Sequence, residues 1–216
     1  MLDEEMLLGC WRELNKGAVS GVDRVTAREY QKDLMDNIRN LVKRLKEKRY
    51  RAKLMRRSYI LKENGKERPL GISALEDKLV QLGCARILTA IYEQDFMDSS
   101  HGYRPERSAR QVVGEMAFNL QYGSYRYIVE ADIKSFFDNL DQDWLREMLA
   151  LRIDDRTFLD LIRKWLKAGV LGTDGQVIHP ETGTPQAARR GYLTDTGERV
   201  SALRVGPMVR KSSEET

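Results

Sequence analysis

This 216-residue sequence has little cysteine and no long apolar run, and both features exclude classes of protein. Its two cysteines, Cys10 and Cys84, lie far apart without metal-site spacing, so we predict buried small hydrophobic side chains in a reducing compartment. No apolar stretch is long enough to cross a membrane. The first residues include Asp3, Glu4 and Glu5 rather than a basic and then apolar secretory leader, so the expected compartment is the cytoplasm.

Charge is abundant in the sequence and is distributed unevenly. Charged residues make up 32% of the chain and hydrophobic residues 41%, a balance typical of a globular protein with a real core. The net charge is +4, but residues 39–68 hold 13 lysines and arginines against three acidic residues, a net charge of +10, and the remainder carries −6. Such a block indicates a polyanionic partner, although a solvated helix face would give the same run of charges.

Hydrophobic periodicity predicts a helix-rich chain with two short hairpins. Apolar spacing predicts helices at about residues 2–16, 26–48, 73–96, 108–120, 141–151 and 155–168. Thr26 with Glu29, and Ser73 with Glu76, have the spacing of capping boxes. Asn64-Gly65 predicts a hairpin of residues 59–62 and 67–70, and a second hairpin is predicted within residues 170–179.

The stretch from Tyr127 to Asp138 is the most informative part of the sequence. Residues 127–132 alternate between two faces, which predicts a strand that ends at Asp132. The carboxylate of Asp132 beside the carbonyl of Ile133 offers hard oxygen ligands that suit Mg²⁺. Phe136 and Phe137 follow in a tight turn, where a sugar or base could pack. An ordinary strand, with both phenylalanines in the core, fits this stretch as well when it is taken alone.

Five short motifs follow one another between residues 20 and 186. They are Gly21-Val22-Asp23 with Thr26, the stretch from Lys62 to Ile72, Ser100-His101-Gly102-Tyr103-Arg104-Pro105 with Ser108, Ala131-Asp132-Ile133-Lys134-Ser135-Phe136-Phe137-Asp138, and Gly183-Thr184-Pro185-Gln186. Each motif is common alone. In this order they closely resemble the reverse transcriptases of bacterial group II introns, the intron-encoded maturases, and the resemblance covers most of the chain.

The resemblance implies an α+β fold with the fingers and an incomplete palm of a right-hand polymerase. Residues 1–125 would form the fingers, helix-rich with a β-hairpin at residues 58–70. Residues 126–186 would form a partial palm with an antiparallel sheet. Residues 187–216 have no apolar period and are rich in Arg, Ser, Thr and Gly, so we expect a disordered or non-native tail.

The resemblance also implies roles for the residues around Asp132. Asp132, with the carbonyl of Ile133 beside it, would be the first metal-binding acid of a site for two Mg²⁺ ions. Phe136 would pack under the sugar of the incoming deoxynucleoside triphosphate (dNTP), and the alternative is that it is a core residue only. Gln186 would lie in the loop that approaches the nucleotide and the template.

Basic residues are the implied contacts to phosphate. Lys62 and Arg68 would grip the triphosphate from the two sides of the hairpin, unless they are plain hairpin charges. Arg104 would either brace the fingers or touch template phosphates. Further candidate contacts to RNA lie in the basic segment: Lys43, Arg44, Arg56 and Arg57. The implied partners are an RNA template, a DNA primer, dNTP and intron RNA, with no membrane.

The sequence departs from the family pattern after Gln186. The family continues with glycines and then a Tyr-x-Asp-Asp turn that carries two more metal acids, whereas here Ala187-Ala188-Arg189-Arg190-Gly191 follows and no Tyr-x-Asp-Asp occurs. One carboxylate cannot hold two Mg²⁺ ions. We therefore expect a truncated or frameshifted fragment of an RNA-directed DNA polymerase that is inactive alone. A non-catalytic, maturase-like module that binds intron RNA is the alternative.

Overall fold

Seven α-helices and a small mixed sheet make up the part of the chain that the computed structural model describes, residues 2–61, 65, 67–125 and 127–184. The helices are α1 (Glu4–Glu13), α2 (Ala27–Tyr30), α3 (Leu34–Lys46), α4 (Leu75–Tyr92), α5 (Ala109–Tyr122), α6 (Gln142–Ala150) and α7 (Arg156–Leu166). The strands are β1 (Met55–Leu61), β2 (Glu67–Ile72), β3 (Val170–Leu171) and β4 (Val177–Ile178). The predicted α+β class is confirmed.

Local signals place the helix starts well, with one exception. Thr26 Oγ1 accepts from Glu29 N at 3.2 Å and Glu29 Oε2 accepts from Thr26 N at 2.9 Å, so this capping box is confirmed. The helix predicted over 26–48 is interrupted by a 3₁₀ turn at Gln31–Asp33. The capping box predicted at Ser73 is wrong, because α4 begins after Ala74 without a side-chain cap.

The sheet has the strand order β2-β1-β3-β4. β1 and β2 pair antiparallel, with Tyr59 opposite Pro69, so the predicted hairpin is confirmed and its tip at residues 62–64 and 66 lies outside the described residues. β3 and β4 form the predicted second hairpin, and β3 joins β1 in parallel, with Met55 opposite Val170. The strand that extends the first hairpin therefore comes from the sequence almost 100 residues after the hairpin ends at Ile72.

The core is built around α4, whose buried side chains include Leu79, Val80, Cys84 and Leu88. Helices α1, α3 and α7 pack on it through Leu7, Ile38, Leu41, Phe158 and Trp165. Both cysteines are buried free thiols, as predicted, and burial raises the pKa of each. No helix of the described residues is long and apolar enough to cross a membrane.

A buried polar network ties α4 to α7 through the segment that follows α3. Tyr50 Oη donates to Asp77 Oδ1 and accepts from Trp165 Nε1 at 2.9 Å. Lys53 N donates to Asp77 Oδ2 at 3.0 Å, and Lys164 Nζ donates to the carbonyl of Tyr50 at 3.1 Å. Because Asp77 is only 2% exposed, desolvation raises the pKa of its carboxyl to about 6.

The strand predicted over residues 127–132 is wrong. These residues form no strand, although the structure describes all six of them. Their side chains are exposed, with Tyr127 at 87% and Val129 at 89%. The alternation is that of a strand, but residues 127–132 pair with none of the four strands of the described sheet, and a strand needs such a partner for its backbone hydrogen bonds. Residues 127–132 therefore contribute no strand to the partial palm sheet implied by the resemblance, whereas β3 and β4 pair antiparallel within residues 126–186.

Candidate functional site

Asp132 lies in irregular backbone, followed by a tight turn. Its carboxylate is exposed, and so is the side chain of the next residue, Ile133. The turn closes on the carbonyl of Ser135, which accepts from Asp138 N and Asn139 N, both at 3.1 Å, and from Asn139 Nδ2 at 2.9 Å. Ser135 has a φ of 53°, a left-handed conformation that is uncommon outside glycine and asparagine. The predicted turn after Asp132 is thus present without the predicted strand.

Phe136 and Phe137 occupy this turn and lie edge to face. Their ring centroids are 5.3 Å apart with an interplanar angle of 83°, a favourable arrangement for two aromatic rings. Phe136 packs against the hydrophobic core but is only half-buried. It therefore combines an anchored side with an accessible side, and the reading as a core residue only does not describe it.

The loop at residues 180–184 docks directly on this turn. Thr184 N donates to the carbonyl of Phe137 at 2.9 Å, and Gly183 N donates to the carbonyl of Leu140 at 2.7 Å. Gln142, on α6, donates from Nε2 to the carbonyl of Gly183 at 2.9 Å. The structure thus joins two motifs that are more than 40 residues apart in the sequence.

Glycine is required at position 183. Its φ is +77°, and a Cβ built there would lie 2.6 Å from the carbonyl oxygen of Asp138 and 2.7 Å from that of Phe137. Any side chain would push the loop away from the turn. The small residue in this motif therefore serves close backbone approach.

Gln142 was not identified from the sequence. It is 5% exposed and holds the docked loop. A polar residue in the first turn of an amphipathic helix is normally read as facing solvent, so no local pattern signals this role. Its burial follows from the long-range packing of residues 180–184.

The oxygen donors near Asp132 suit a hard divalent cation, but they do not make a complete site. Asp132 offers a carboxylate and Ile133 a carbonyl, which is the ligand chemistry that Mg²⁺ prefers. Among the described residues no group of three or more His, Cys, Asp or Glu side chains is placed to hold a metal ion. These residues therefore fit one part of a metal site and not a two-metal centre.

Arg104 is a brace. Its side chain is 7% exposed, and its Nε donates to Glu93 Oε1 at 2.9 Å. Nη1 donates to the carbonyls of Met97 and Ser100 at 2.8 and 2.9 Å, and the guanidinium lies 5.1 Å from the ring centroid of Phe96. Of the two predicted roles the structure favours bracing, because little of the side chain is left to touch a template phosphate.

The candidate RNA contacts of the basic segment differ in their surroundings. Lys43 is exposed on α3, whereas Arg44 is half-buried and pairs with Glu76 at 2.6 Å. Arg56 donates from Nη2 to the carbonyl of Ser20 at 2.8 Å, and Arg57 is half-buried in β1. Lys43 thus has the most accessible cation, and the others are partly committed to the fold or covered by it.

Three candidate nucleotide contacts cannot be placed. Lys62 and Gln186 lie outside the described residues, and for Arg68 only the backbone within β2 is described. Their predicted roles stay predictions. The described part of β2 does fix the position of Arg68 opposite Ile60 in the hairpin register.

The first motif packs against the start of α4. A Cβ at Gly21 would lie 2.6 Å from the backbone of Ala74, so the loop passes too close for a side chain. Asp23 pairs with Lys53 at 2.8 Å, and Lys78 donates to the carbonyl of Val19 at 2.9 Å. The geometry of this motif is explained by packing within the protein.

Comparison with known proteins shows which family the sequence matches. Residues 60–189, more than half of the chain, match the family described as reverse transcriptase (RNA-dependent DNA polymerase). The chain is 40% identical over 174 residues to the group II intron-encoded protein LtrA of Lactococcus lactis subsp. cremoris, a match that covers 80% of this chain and 28% of that protein.

Two further relatives extend the comparison. Protein YkfC of Escherichia coli strain K12 is 35% identical over 181 residues, 82% of this chain and 45% of YkfC. An uncharacterised 91 kDa protein in the cob intron of Schizosaccharomyces pombe is 33% identical over 230 residues, 100% of this chain and 28% of that protein. The chain therefore spans less than half the length of each of these three relatives.

Proposed function

This chain belongs to the reverse transcriptase (RNA-dependent DNA polymerase) family, and from that membership we propose that it forms the nucleotide-binding side of a DNA polymerase of the group II intron type. Residues 1–125 then correspond to the fingers and residues 126–186 to part of the palm. The proposed ligands are an RNA template, a DNA primer and dNTP. Reverse transcriptases use divalent metal ions for nucleotidyl transfer, and we propose Mg²⁺ for this chain.

The docking of residues 180–184 on the turn after Asp132 carries this proposal. The 2.9 Å hydrogen bond from Thr184 to Phe137 holds the end of one motif against the aromatic pair of another. A half-buried Phe136 beside an exposed Asp132 gives a surface on which a sugar could pack near a carboxylate. We therefore assign Phe136 to the sugar of the bound dNTP and Asp132, with the Ile133 carbonyl, to Mg²⁺.

The same residues limit what the chain can do by itself. A bound Mg²⁺ would supply charge stabilisation to the transferring phosphoryl group, but two such ions need several converging carboxylates. Among the described residues no three His, Cys, Asp or Glu side chains converge to hold a metal ion, and the sequence contains no Tyr-x-Asp-Asp. We therefore expect nucleic-acid binding without primer extension by this polypeptide.

A non-catalytic RNA-binding module is the second candidate. It is favoured by the net charge of +10 on residues 39–68, since phosphate neutralisation supplies most of the affinity in sequence-independent binding. Both candidates predict binding of RNA. They differ in the role of the Asp132 carboxylate, which the polymerase uses to hold a metal ion and the RNA-binding module does not use.

The experiment compares the wild-type chain with Asp132→Ala and with Asp154→Ala, an exposed aspartate in the loop before α7. Fluorescence anisotropy measures binding to an RNA–DNA template–primer, and a gel assay measures Mg²⁺-dependent extension with dNTP. We expect the three proteins to bind alike and none to extend. Extension that only Asp132→Ala abolishes would show that this chain is itself a polymerase, and absence of binding by the wild type would refute both candidates.

A separate measurement tests the metal role without extension. Mn²⁺ in place of Mg²⁺ broadens the nuclear magnetic resonance (NMR) signals of nearby amides because it is paramagnetic. In the wild type we expect broadening at residues 132–135 that requires the Asp132 carboxylate and survives in Asp154→Ala. Equal broadening in Asp132→Ala would remove Asp132 from the metal site.

A further inference from the structure

An open cleft of about 730 Å³ separates the end of α3 and the segment after it from α7. Its walls come from residues 45–52 on one side and residues 155–167 on the other. It shares no residue with the turn at 134–138 or the loop at 180–184. The cleft is comparable in volume to sites that hold small ligands, roughly 300–1,000 Å³, and it is open to solvent.

The cleft is strongly basic. Six cations line it, three from each wall: Lys46, Lys48, Arg51, Arg163, Lys164 and Lys167. Two acidic residues, Asp155 and Asp160, also line the cleft, and each already has a partner within the protein. Asp155 caps α7 by accepting a hydrogen bond from Thr157 N, and Asp160 lies 4.0 Å from Arg163. Because the walls are more than 100 residues apart in the sequence, a single charged helix face does not account for this convergence.

Four of the six cleft cations differ from three nearby cations in having no ion pair among the described residues, although Lys43, Arg56 and Arg57 outside the cleft form no salt bridge either. Arg44, Arg49 and Lys53 each form a salt bridge within the protein. Lys46, Lys48, Arg51 and Lys167 form none with any residue that the structure describes. The unpaired cations thus face one concave surface, where a low-dielectric wall concentrates their field.

The floor of the cleft is apolar and fixed. Leu45, Phe158 and Leu161 lie beneath the cations, and the latter two belong to the hydrophobic core. Lys164 is anchored at its Nζ by the carbonyl of Tyr50 at 3.1 Å, which joins the two walls. A ligand with alternating negative charge and less polar surface complements this arrangement, and a sugar–phosphate backbone has that character.

The helix macrodipole explains part of the pattern but not all of it. Cations in the last turn of α3 and of α7 are favoured by the partial negative charge at a helix C-terminus, by about 0.3–1 kcal/mol each. Lys167 is the C-cap of α7 and Lys48 follows the C-cap of α3, so both also benefit from this effect, whereas Arg51 lies beyond α3, where the effect falls off. Water and salt screen the repulsion among these mostly exposed cations, and a polyanionic ligand would relieve it further.

We propose that this basic cleft binds the sugar–phosphate backbone of a nucleic-acid strand, at a site separate from the turn that carries Asp132. The inference rests on the proposed function to the extent that the protein handles nucleic acid, and it adds a second contact surface formed with α7. Recognition through phosphates predicts little dependence on base sequence. RNA and DNA strands share this chemistry and are compared directly below.

The test removes three cations from the cleft in Lys48→Gln/Arg51→Gln/Lys167→Gln. The matched control removes three exposed cations elsewhere in Arg28→Gln/Lys32→Gln/Arg110→Gln, so that both proteins have the same net charge. Anisotropy with a labelled 16-mer measures affinity between 50 and 300 mM salt, once with RNA and once with DNA. Circular dichroism and thermal unfolding verify that each variant is folded.

We expect the cleft variant to bind about 100-fold more weakly at 0.1 M salt, because three phosphate contacts contribute about 2 to the slope of log K against log salt for a single strand. Its slope should fall by that amount, while the control loses less than about threefold. Equal losses in both variants would show a general charge effect and overturn the proposal. Unchanged affinity in the cleft variant would overturn it as well.

The experiment gives different results if the cleft proposal is wrong and if the proposed function is wrong. If the wild type binds neither RNA nor DNA, both proposals fall. If it binds and the two triple variants behave alike, only the cleft is refuted. Hydrogen exchange gives a second readout: bound strand should protect amides of residues 45–52 and 156–166 more than those of α5, and protection confined to other segments would refute the cleft.

Discussion

Replacing Tyr50 with phenylalanine tests how the buried network holds α4 and α7 together. The hydroxyl donates to Asp77 and accepts from Trp165, so Tyr50→Phe leaves two buried atoms, Asp77 Oδ1 and Trp165 Nε1, without that partner, while Asp77 Oδ2 keeps its bond from Lys53 N. An unsatisfied buried polar group costs about 1–3 kcal/mol. We therefore expect the variant to lose about 2–4 kcal/mol of unfolding free energy at pH 7.5. For a chain of this length that corresponds to a fall in melting temperature of about 5–15 °C.

The stability lost in Tyr50→Phe should depend on pH, and the buried network determines whether the loss grows or shrinks as the pH rises. Burial raises the pKa of the Asp77 carboxyl to about 6, and the hydrogen bonds from Tyr50 and Lys53 partly oppose that rise. A carboxyl with a raised folded-state pKa stabilises the fold most when it is protonated. The contribution of Asp77 is therefore largest below about pH 4 and declines as the pH rises through about 6.

Tyr50→Phe removes one of the hydrogen bonds that favour the ionised carboxylate. Its effect should thus be greatest above pH 6, where the wild type loses a charge-assisted bond, and smaller at pH 5. We expect Tyr50→Phe to lower the free energy of unfolding by about 2–4 kcal/mol at pH 7.5 and by about 1–2 kcal/mol at pH 5.

Urea unfolding followed by circular dichroism and tryptophan fluorescence measures both values. Tyr92→Phe is the matched control, because the Tyr92 hydroxyl is buried and has no hydrogen-bond partner among the described residues. Because that hydroxyl is itself an unsatisfied buried group, its removal should not destabilise the protein and should raise the free energy of unfolding by up to about 1–3 kcal/mol. A Tyr50→Phe loss that is equal at both pH values, or equal to that of Tyr92→Phe, would contradict the assignment of the network.

Further predictions concern the candidate site. Gly183→Ala should destabilise the protein by at least about 1–2 kcal/mol and undock residues 180–184, seen as faster exchange of the Thr184 amide. Gly175→Ala also carries a positive φ but has open space at its Cβ, so it should keep the loop docked. Arg104→Ala should lower the free energy of unfolding by about 1–3 kcal/mol in urea, because it removes the hydrogen bonds to Glu93 and to the carbonyls of Met97 and Ser100, without weakening RNA binding when binding is measured on folded protein. A large loss of RNA affinity would instead restore Arg104 as a template contact.

The sequence predicts elements whose signals are local. Apolar spacing locates the described helices to within a few residues, except that it joins α2 and α3 into one, and Thr26 and Asp155 cap theirs as short polar side chains do. Asn64-Gly65 locates the first hairpin because that dipeptide suits a tight turn. In each case the residues that make the signal also make the structure, within about four positions of one another.

Features that depend on distant partners could not be predicted in this way. The parallel pairing of β1 with β3, the burial of Gln142 and the cleft between α3 and α7 each join residues at least 40 positions apart. Arg104 is an intermediate case, because its charge suggested either a phosphate or an internal partner, and only packing against Phe96 and Glu93 favours one of them. A charge pattern predicts that a cation has a partner without identifying the partner.

The stretch before Asp132 shows why a correct local pattern can still give a wrong element. A strand is stabilised by cross-strand hydrogen bonds and side-chain pairs, so alternation alone supplies only half of what it needs. In the described sheet β1 pairs on both sides, with β2 and with β3, and residues 127–132 pair with none of the four strands. Residues 127–132 therefore keep their apolar side chains exposed, while the turn that follows is held by contacts of its own to residues 180–184. The position of Asp132 is consequently determined from its C-terminal side, by Ser135, Phe137 and the docked Gly183, and a change in that loop should disturb the candidate site more than a change in the stretch that precedes it.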